Sequence, residues 1–168
     1  MVHVDTWRAA YRGIVPDGYL EGLSYDESER LWQDAIAAGD GCVIVAEDGA
    51  GVFGFASGSP KERFSRELRE YAGELKTLYV LPSRKGAGVG RQLVGAVARH
   101  FVDRGVNSML LWAFAENRAA RGFYESLGGV PVAEAGFELG GAWRSEVAYG
   151  WRDLDALLAG TSGGRTAP

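Results

Sequence analysis

The chain holds a single cysteine, Cys42, and two histidines, His3 and His100, in 168 residues. A lone thiol closes no internal disulfide, so a reducing cytoplasm is the expected location. Zinc sites gather several Cys and His ligands at short spacings. With His3 and His100 far apart and Cys42 alone, no metal is expected, and no Ser-His-Asp arrangement is supported either. Long apolar runs are also lacking: none approaches the roughly 20 residues of a membrane helix, and the first residues carry no signal-peptide pattern. No membrane partner is expected. A basic excess is missing too, since 18 Lys and Arg against 22 Asp and Glu leave a formal charge of -4. Phosphate backbones select the opposite sign, so no nucleic acid is expected as a partner.

What remains is ordinary globular composition, 46% hydrophobic and 24% charged, at a length suited to one domain. Residues 1–159 are expected to form that domain, and the Gly/Ser/Thr-rich stretch 160–168 a disordered tail. A short amphipathic helix is predicted over Asp5 to Tyr11, ended before Pro16, with a second turn through Tyr19, Leu20 and Leu23. A longer helix starts near Ser24, with Tyr25, Leu31, Trp32, Ala35 and Ile36 at helical spacing, and stops at Gly39. Strands are predicted at Cys42 to Glu47, Val52 to Ser57 and Leu75 to Leu81, the first two joined by a turn at Asp48 to Gly51. Lys61 to Tyr71 reads as a charged, exposed connection, partly helical. A helix opens after Gly86 to Gly90, carries Leu93, Val94, Val97, Ala98, Phe101 and Val102 on one stripe, and closes at Gly105. Met109 to Phe114 is a further strand. Asn117 caps a helix with Ala120, Phe123, Tyr124 and Leu127, and Val132 to Leu139 and Arg144 to Trp151 form a closing hairpin. The fold class is α/β with a mixed sheet.

Most informative is the run from Leu78 to Arg91, where a strand enters a glycine-rich turn that opens a helix. Glycines let backbone N–H groups approach a ligand with no Cβ in the way. Those donors and the positive end of the helix dipole suit a pyrophosphate, with Arg84, Lys85 and Arg91 adding charge. The plainer alternative is a tight strand–helix turn with solvated basic residues. Two nucleotide motifs fail here. The phosphate-loop pattern GxxxxGK followed by Ser or Thr is absent, and Arg91 stands where a dinucleotide fingerprint needs its third glycine.

Lys85-Gly86-Ala87-Gly88-Val89-Gly90 resembles the coenzyme A loop of the GCN5-related N-acetyltransferase (GNAT) superfamily, with Lys85 in place of the usual Arg or Gln. Downstream, Asn117 to Gly128 (NRAARGFYESLG) resembles the second signature of that family, NxxAxxFYxxxG. The resemblance runs from about Trp7 to about Leu157. It implies a mostly antiparallel mixed sheet with splayed central strands flanked by helices, and acetyl-CoA as cosubstrate without a metal. It implies further that backbone groups of Leu78 and Val80, beside Tyr79, pair with the pantetheine arm as an added strand. Lys85, Gly86, Ala87, Gly88, Val89, Gly90 and Arg91 would hold the pyrophosphate, Asn117 the arm near the thioester, and Tyr124 would protonate the departing thiolate. A phenol of pKa about 10 facing a thiol of about 8.5 suits that donation.

An attacking amine must lose a proton, and the resemblance implies Glu74 as the candidate base, since the matching strand of several family members starts with a glutamate; a water chain is the alternative. On a regular strand Glu74, Lys76, Leu78 and Val80 share one face, a parity that a bulge would change. Trp112 occupies the place where some family members carry the base, and Glu116 reads as solvated. The acceptor is expected to be a small-molecule or peptide amine, in a pocket to which Trp7, Tyr11, Tyr25, Trp32, Trp143 and Trp151 are candidate contributors. At helical spacing, core packing is the stronger reading of these rings. The first edge strand usual in the family has no counterpart ahead of the first helix: either the start is truncated, or the sheet lacks that strand and Cys42 to Glu47 is a bare edge that a homodimer could cover. Competing readings are a non-catalytic acyl-CoA-binding module, disfavoured by the intact Tyr124, and a nucleotide-binding α/β protein.

Overall fold

The computed structural model describes residues 1–60 and 68–162. Six strands form one sheet: β1 (Cys42–Asp48), β2 (Gly51–Pro60), β3 (Gly73–Val80), β4 (Met109–Phe114), β5 (Val130–Leu139) and β6 (Ala142–Trp151), in the spatial order β1-β2-β3-β4-β6-β5. Six helices flank it: α1 (Val2–Ala10), α2 (Asp17–Glu21), α3 (Tyr25–Ala38), α4 (Val89–Val102), α5 (Arg118–Ser126) and α6 (Leu154–Ser162). None of these is long and apolar enough to cross a membrane. Most of the predicted connection after β2, residues 61–67, lies outside the described residues, as do 163–168. Among the described residues β1 pairs with β2 alone and forms one edge of the sheet.

Every pairing is antiparallel except β3 with β4, whose parallel relation follows from the crossover through α4. That parallel pair has only two partners, Gly73 with Met109 and Glu74 with Leu110. Beyond them β3 stays in register with β2 as far as Val80, while β4 stays with β6 as far as Phe114. The sheet therefore opens into a V. Within β3, Ser57 faces Thr77 but Gly58 faces Leu75, so Lys76 is the extra residue of a bulge.

One face of the sheet packs under α4, α5 and α6 in a core that includes Leu75, Val97, Phe101, Met109, Tyr149 and Leu154. Close approach of α4 to β2 requires Gly58. A Cβ there would stand 2.7 Å from Val97 Cγ1, 2.9 Å from Phe101 Cζ and 3.2 Å from the Glu74 carbonyl. The other face carries two smaller clusters. Val2 of α1 packs with Phe55 and Tyr79, and Leu68, Tyr71 and Leu110 pack beside Trp112.

Three helices differ from expectation. Ser24 does cap α3, accepting from the Glu27 N–H, and Gly39 ends it with φ 70°. Its apolar stripe, however, is not a core face. Leu31 is 54% and Ile36 61% exposed, and the helix meets the sheet mainly through Trp32, set edge-on to Phe55. Helix α1 starts earlier than predicted: Val2 packs on Phe55 and Tyr79 of the sheet and Val4 is buried, contacts that no local pattern announces. Helix α6 was not foreseen, and it takes up Gly160 to Ser162, assigned above to a loose tail. Asp153 caps it through Oδ1, and Leu154, Leu157 and Leu158 are buried against α4 and the sheet. That cap and spacing were a legible signal.

Gly58→Ala is expected to destabilise the fold by about 1–3 kcal/mol through overpacking against α4. The urea midpoint should fall with an unchanged slope.

Candidate active site

The V between β3 and β4 contains a groove of about 480 Å³. Antiparallel pairing sends alternate backbone groups of β3 to opposite sides. The Leu81 N–H donates to the Phe53 carbonyl at 2.9 Å on the β2 side. By that alternation the N–H and C=O groups of Leu78 and Val80 face the opening, where β4 has already departed. Leu78, Tyr79 and Val80 all line the groove.

At one end of the groove, a single 3₁₀ turn (Pro82–Arg84) leads into the glycine loop. Gly86 and Gly88 have φ of 81° and 79°, where any side chain is strained, and nothing lies within 4 Å of the Cβ position of either. Gly88 is the N-cap of α4 with no side-chain cap bond, so the first N–H groups of a 14-residue helix stay free of an internal partner. This is a backbone cradle for an anion. Lys85, Gly86, Gly88, Val89, Gly90 and Arg91 line it. Ala87 does not: it is the one predicted loop residue outside the lining, lying between the two left-handed glycines and exposed to solvent. Arg84 also lines the groove, while its guanidinium forms an ion pair with Asp48 and lies over the face of Phe53, 5.0 Å from the ring centroid. Arg91 reaches the Gly160 carbonyl at 3.3 Å.

On the opposite wall, Asn117 caps α5, its Oδ1 accepting from the Ala120 N–H at 3.1 Å. Tyr124 lines the groove while remaining 9% exposed. Burial raises its pKa above the ordinary phenol value, so it carries its proton at any working pH. Helix α5 is held from below by β6. The fully buried Tyr149 hydroxyl accepts from Arg121 Nε at 2.9 Å and donates to Glu125 at 2.7 Å, and Trp151 donates to the Leu127 carbonyl at 2.9 Å. Arg121 also donates to the Ala115 carbonyl just after β4, at 3.0 Å.

Helix α1 closes the groove with Thr6, Ala10 and Tyr11. Around this side an aromatic wall forms: Tyr11 lies 4.8 Å from Trp7 and 4.9 Å from Phe114, and Phe114 stacks on Phe137 at 5.9 Å. Of the other predicted aromatics, Tyr25 is exposed and donates to Asp5, Trp32 packs beside Phe55, Trp143 is exposed, and Trp151 is buried in the core. His3 packs within the α1 side of the sheet. Its ring stacks on Tyr79 and its Nδ1 is 2.9 Å from Ser28 Oγ, with burial lowering its pKa. Among the described residues no three His, Cys, Asp or Glu side chains gather as a metal site.

Glu74 does not share a face with Leu78 and Val80. The bulge at Lys76 shifts the parity, and Glu74 sits level with Leu110, on the side of the sheet covered by α1 and the Tyr71 turn. It stands at the apex of the V, outside the groove lining. A second carboxylate, missed from the sequence, lies on this same side: Glu146 of β6, paired with Phe114. Its pKa is raised, by burial first and then by the Glu74 charge. The alternation Glu146, Ala148, Gly150 opposite buried Val147, Tyr149 and Trp151 marked its face in advance, but its nearness to Glu74 is a product of the sheet order.

Among mixed α/β sheets, one parallel pair parting after two residues, with a glycine cradle at the mouth of the gap, is the acetyltransferase arrangement that the motifs led us to expect. The Acetyltransferase (GNAT) family matches over residues 5–129, and the chain belongs to that family. It is 40% identical to the N-acetyltransferase YuaI of Bacillus subtilis (strain 168), over 93% of this chain and 87% of that protein. It is 36% identical to the mycothiol acetyltransferase of Thermobifida fusca (strain YX) over 78% of its own length, though it spans only 36% of that longer protein. The fold is shared with yncA of Salmonella typhimurium, solved with its cofactor acetyl-CoA, at a TM-score of 0.66 and 20% identity, covering 99% of this chain and 90% of that one.

Burial pushes the Tyr11 phenol up to about 12. Folded protein thus keeps a proton that unfolded chain releases near pH 10, and stability is full below about 10 and declines as pH rises toward about 12. Tyr11→Phe should flatten that decline in alkaline urea titrations.

Proposed function

We propose that this chain transfers an acetyl group from acetyl-CoA to a primary amine by direct attack. The observation that carries this reading is the joining, in one groove, of a free strand edge, a backbone anion cradle and a buried phenol. In this reading the pantetheine arm lies along β3, pairing with the backbone of Leu78 and Val80 as an added strand. The pyrophosphate rests on the N–H groups from Gly86 to Arg91, with Lys85 beside it. Asn117, whose Oδ1 is committed to its own helix, offers its amide N–H to the arm.

The amine nitrogen attacks the thioester carbonyl carbon, the C–S bond breaks, and the sulfur leaves as a thiolate that takes the Tyr124 proton. Burial keeps that proton in place, and the same dry surroundings raise the basicity of the thiolate that is to receive it. The attacking amine approaches from the α1 side, past Tyr11 and Phe114. An alkyl amine enters as an ammonium of pKa about 10.4 and must be deprotonated. Glu74 and Glu146 face that side together, and we assign the proton to this pair, with the Glu146 pKa raised by burial and by the Glu74 charge. Two carboxylates beside aromatic rings also favour a cationic acceptor. The acceptor is a small-molecule or peptide amine.

A thiol-release assay with acetyl-CoA across a panel of amines tests the reading, and no release with any amine would defeat it. Tyr124→Phe is expected to lower kcat about 100-fold, with acetyl-CoA affinity changed far less. Gly88→Asp should abolish calorimetric binding of acetyl-CoA by placing a carboxylate in the cradle. The sign of the pH effect follows from the raised Glu146 pKa: kcat/KM falls as pH drops through it. Glu146→Gln should lower kcat/KM at neutral pH and move the acidic limb downward. An unmoved limb would leave Glu146 without a role in proton transfer.

A further inference from the structure

Thr6 lies midway along α1, one turn from both Val2 and Ala10, so the three share a helix face. Val2 packs on Phe55 and Tyr79, and Ala10 reaches the groove. Thr6 also lines the groove, yet it is only 4% exposed, and its Oγ1 is buried without any hydrogen-bond partner among the described residues. A helical threonine ordinarily returns its hydroxyl to the carbonyl three or four residues back. Thr6 does not. The other buried side-chain atom in this condition, Arg144 Nε, belongs to a residue that does not line the groove.

A buried hydroxyl without a partner is destabilising, and such groups are uncommon in folded proteins. Here the cost falls at the wall of the cavity that faces the free edge of β3. A single step of χ1 exchanges the hydroxyl and the methyl at nearly constant volume, and threonine in helices populates two such wells. A ligand entering the groove can therefore receive this hydrogen bond without the protein first breaking one of its own.

We propose that the Thr6 hydroxyl is a binding group for the acyl-pantetheine arm, donating to one of its carbonyl oxygens from the α1 side of the groove. The inference rests on the acetyl-CoA reading above and adds a contact that neither of the two sequence motifs contains. The arm offers amide carbonyls and the thioester carbonyl. Their shared chemistry is an acceptor oxygen close to the wall opposite Asn117.

Thr6→Val keeps the shape and removes the hydroxyl, which gives the proposal two effects of opposite sign. The free protein should become as stable or more stable in urea unfolding, because an unpartnered polar group is gone. Acetyl-CoA affinity, by calorimetry, should fall about three- to tenfold. Thr6→Ser, retaining the hydroxyl, should bind within about twofold of the parent. Adenosine 3′,5′-bisphosphate, which lacks the arm, should bind parent and Thr6→Val alike. Free CoA separates the two sources: equal losses for CoA and acetyl-CoA assign the bond to an arm amide, and a loss confined to acetyl-CoA assigns it to the thioester. Unchanged acetyl-CoA affinity in Thr6→Val overturns the proposal, as does an equal loss for the bisphosphate or a drop in stability with no loss of binding. If the parent protein binds neither CoA nor acetyl-CoA, the acetyltransferase reading itself fails and this inference fails with it, a result distinct from the others.

Discussion

The parting of β3 from β4 after two residue pairs governs the rest of the structure. Each strand is committed along its length to a different neighbour, β3 to β2 and β4 to β6, and the twist of each half-sheet carries the two apart. An interior sheet position normally leaves no backbone group unpaired. Here the gap leaves the edge of β3 at Leu78 and Val80 without a strand partner among the described residues, in the middle of the sheet, which suits a ligand that hydrogen-bonds like a strand.

From that opening the two faces of the sheet acquire separate tasks. Helices α4 and α5 lie on one face, and they bring the glycine cradle and Tyr124 to the groove. The other face, under α1, presents Tyr11, Phe114 and the two carboxylates. In the reaction proposed above, donor and acceptor therefore use different entrances to one gap. The bulge at Lys76 sharpens the division, because it places Glu74 on the α1 side while Leu78 and Val80 keep their backbone edge toward the groove.

Precision at the phenol comes from below. Tyr149 and Trp151, two residues apart on β6, project to the same face and each fixes a different turn of α5, through Arg121 with Glu125 and through the Leu127 carbonyl. Tyr124 lies between these attachments. The Tyr149 hydroxyl and the Trp151 ring N–H both have partners there, in contrast to the unpartnered hydroxyl of Thr6 at the groove wall.

Local chemistry was legible in the chain itself. Glycines with no Cβ between Gly86 and Gly90, an asparagine cap at Asn117, strand alternation and helix stripes act over a few residues, and their order along the sequence carried the family resemblance and the α/β class. Ser24 and Gly39 mark the ends of α3 for the same reason. The exposure of Leu31 and Ile36 depends instead on where α3 lands, which its own periodicity does not encode. Likewise a one-residue bulge at Lys76 reverses the side on which Glu74 stands, and only pairing with β2 reveals it. Glu146 meets Glu74 because β6 lies beside β4, more than seventy positions from Glu74 in the chain. Which backbone amides lack a partner, which hydroxyl is buried alone and which carboxylates share a face are long-range outcomes of sheet order and helix placement, and these were decided by the tertiary structure alone.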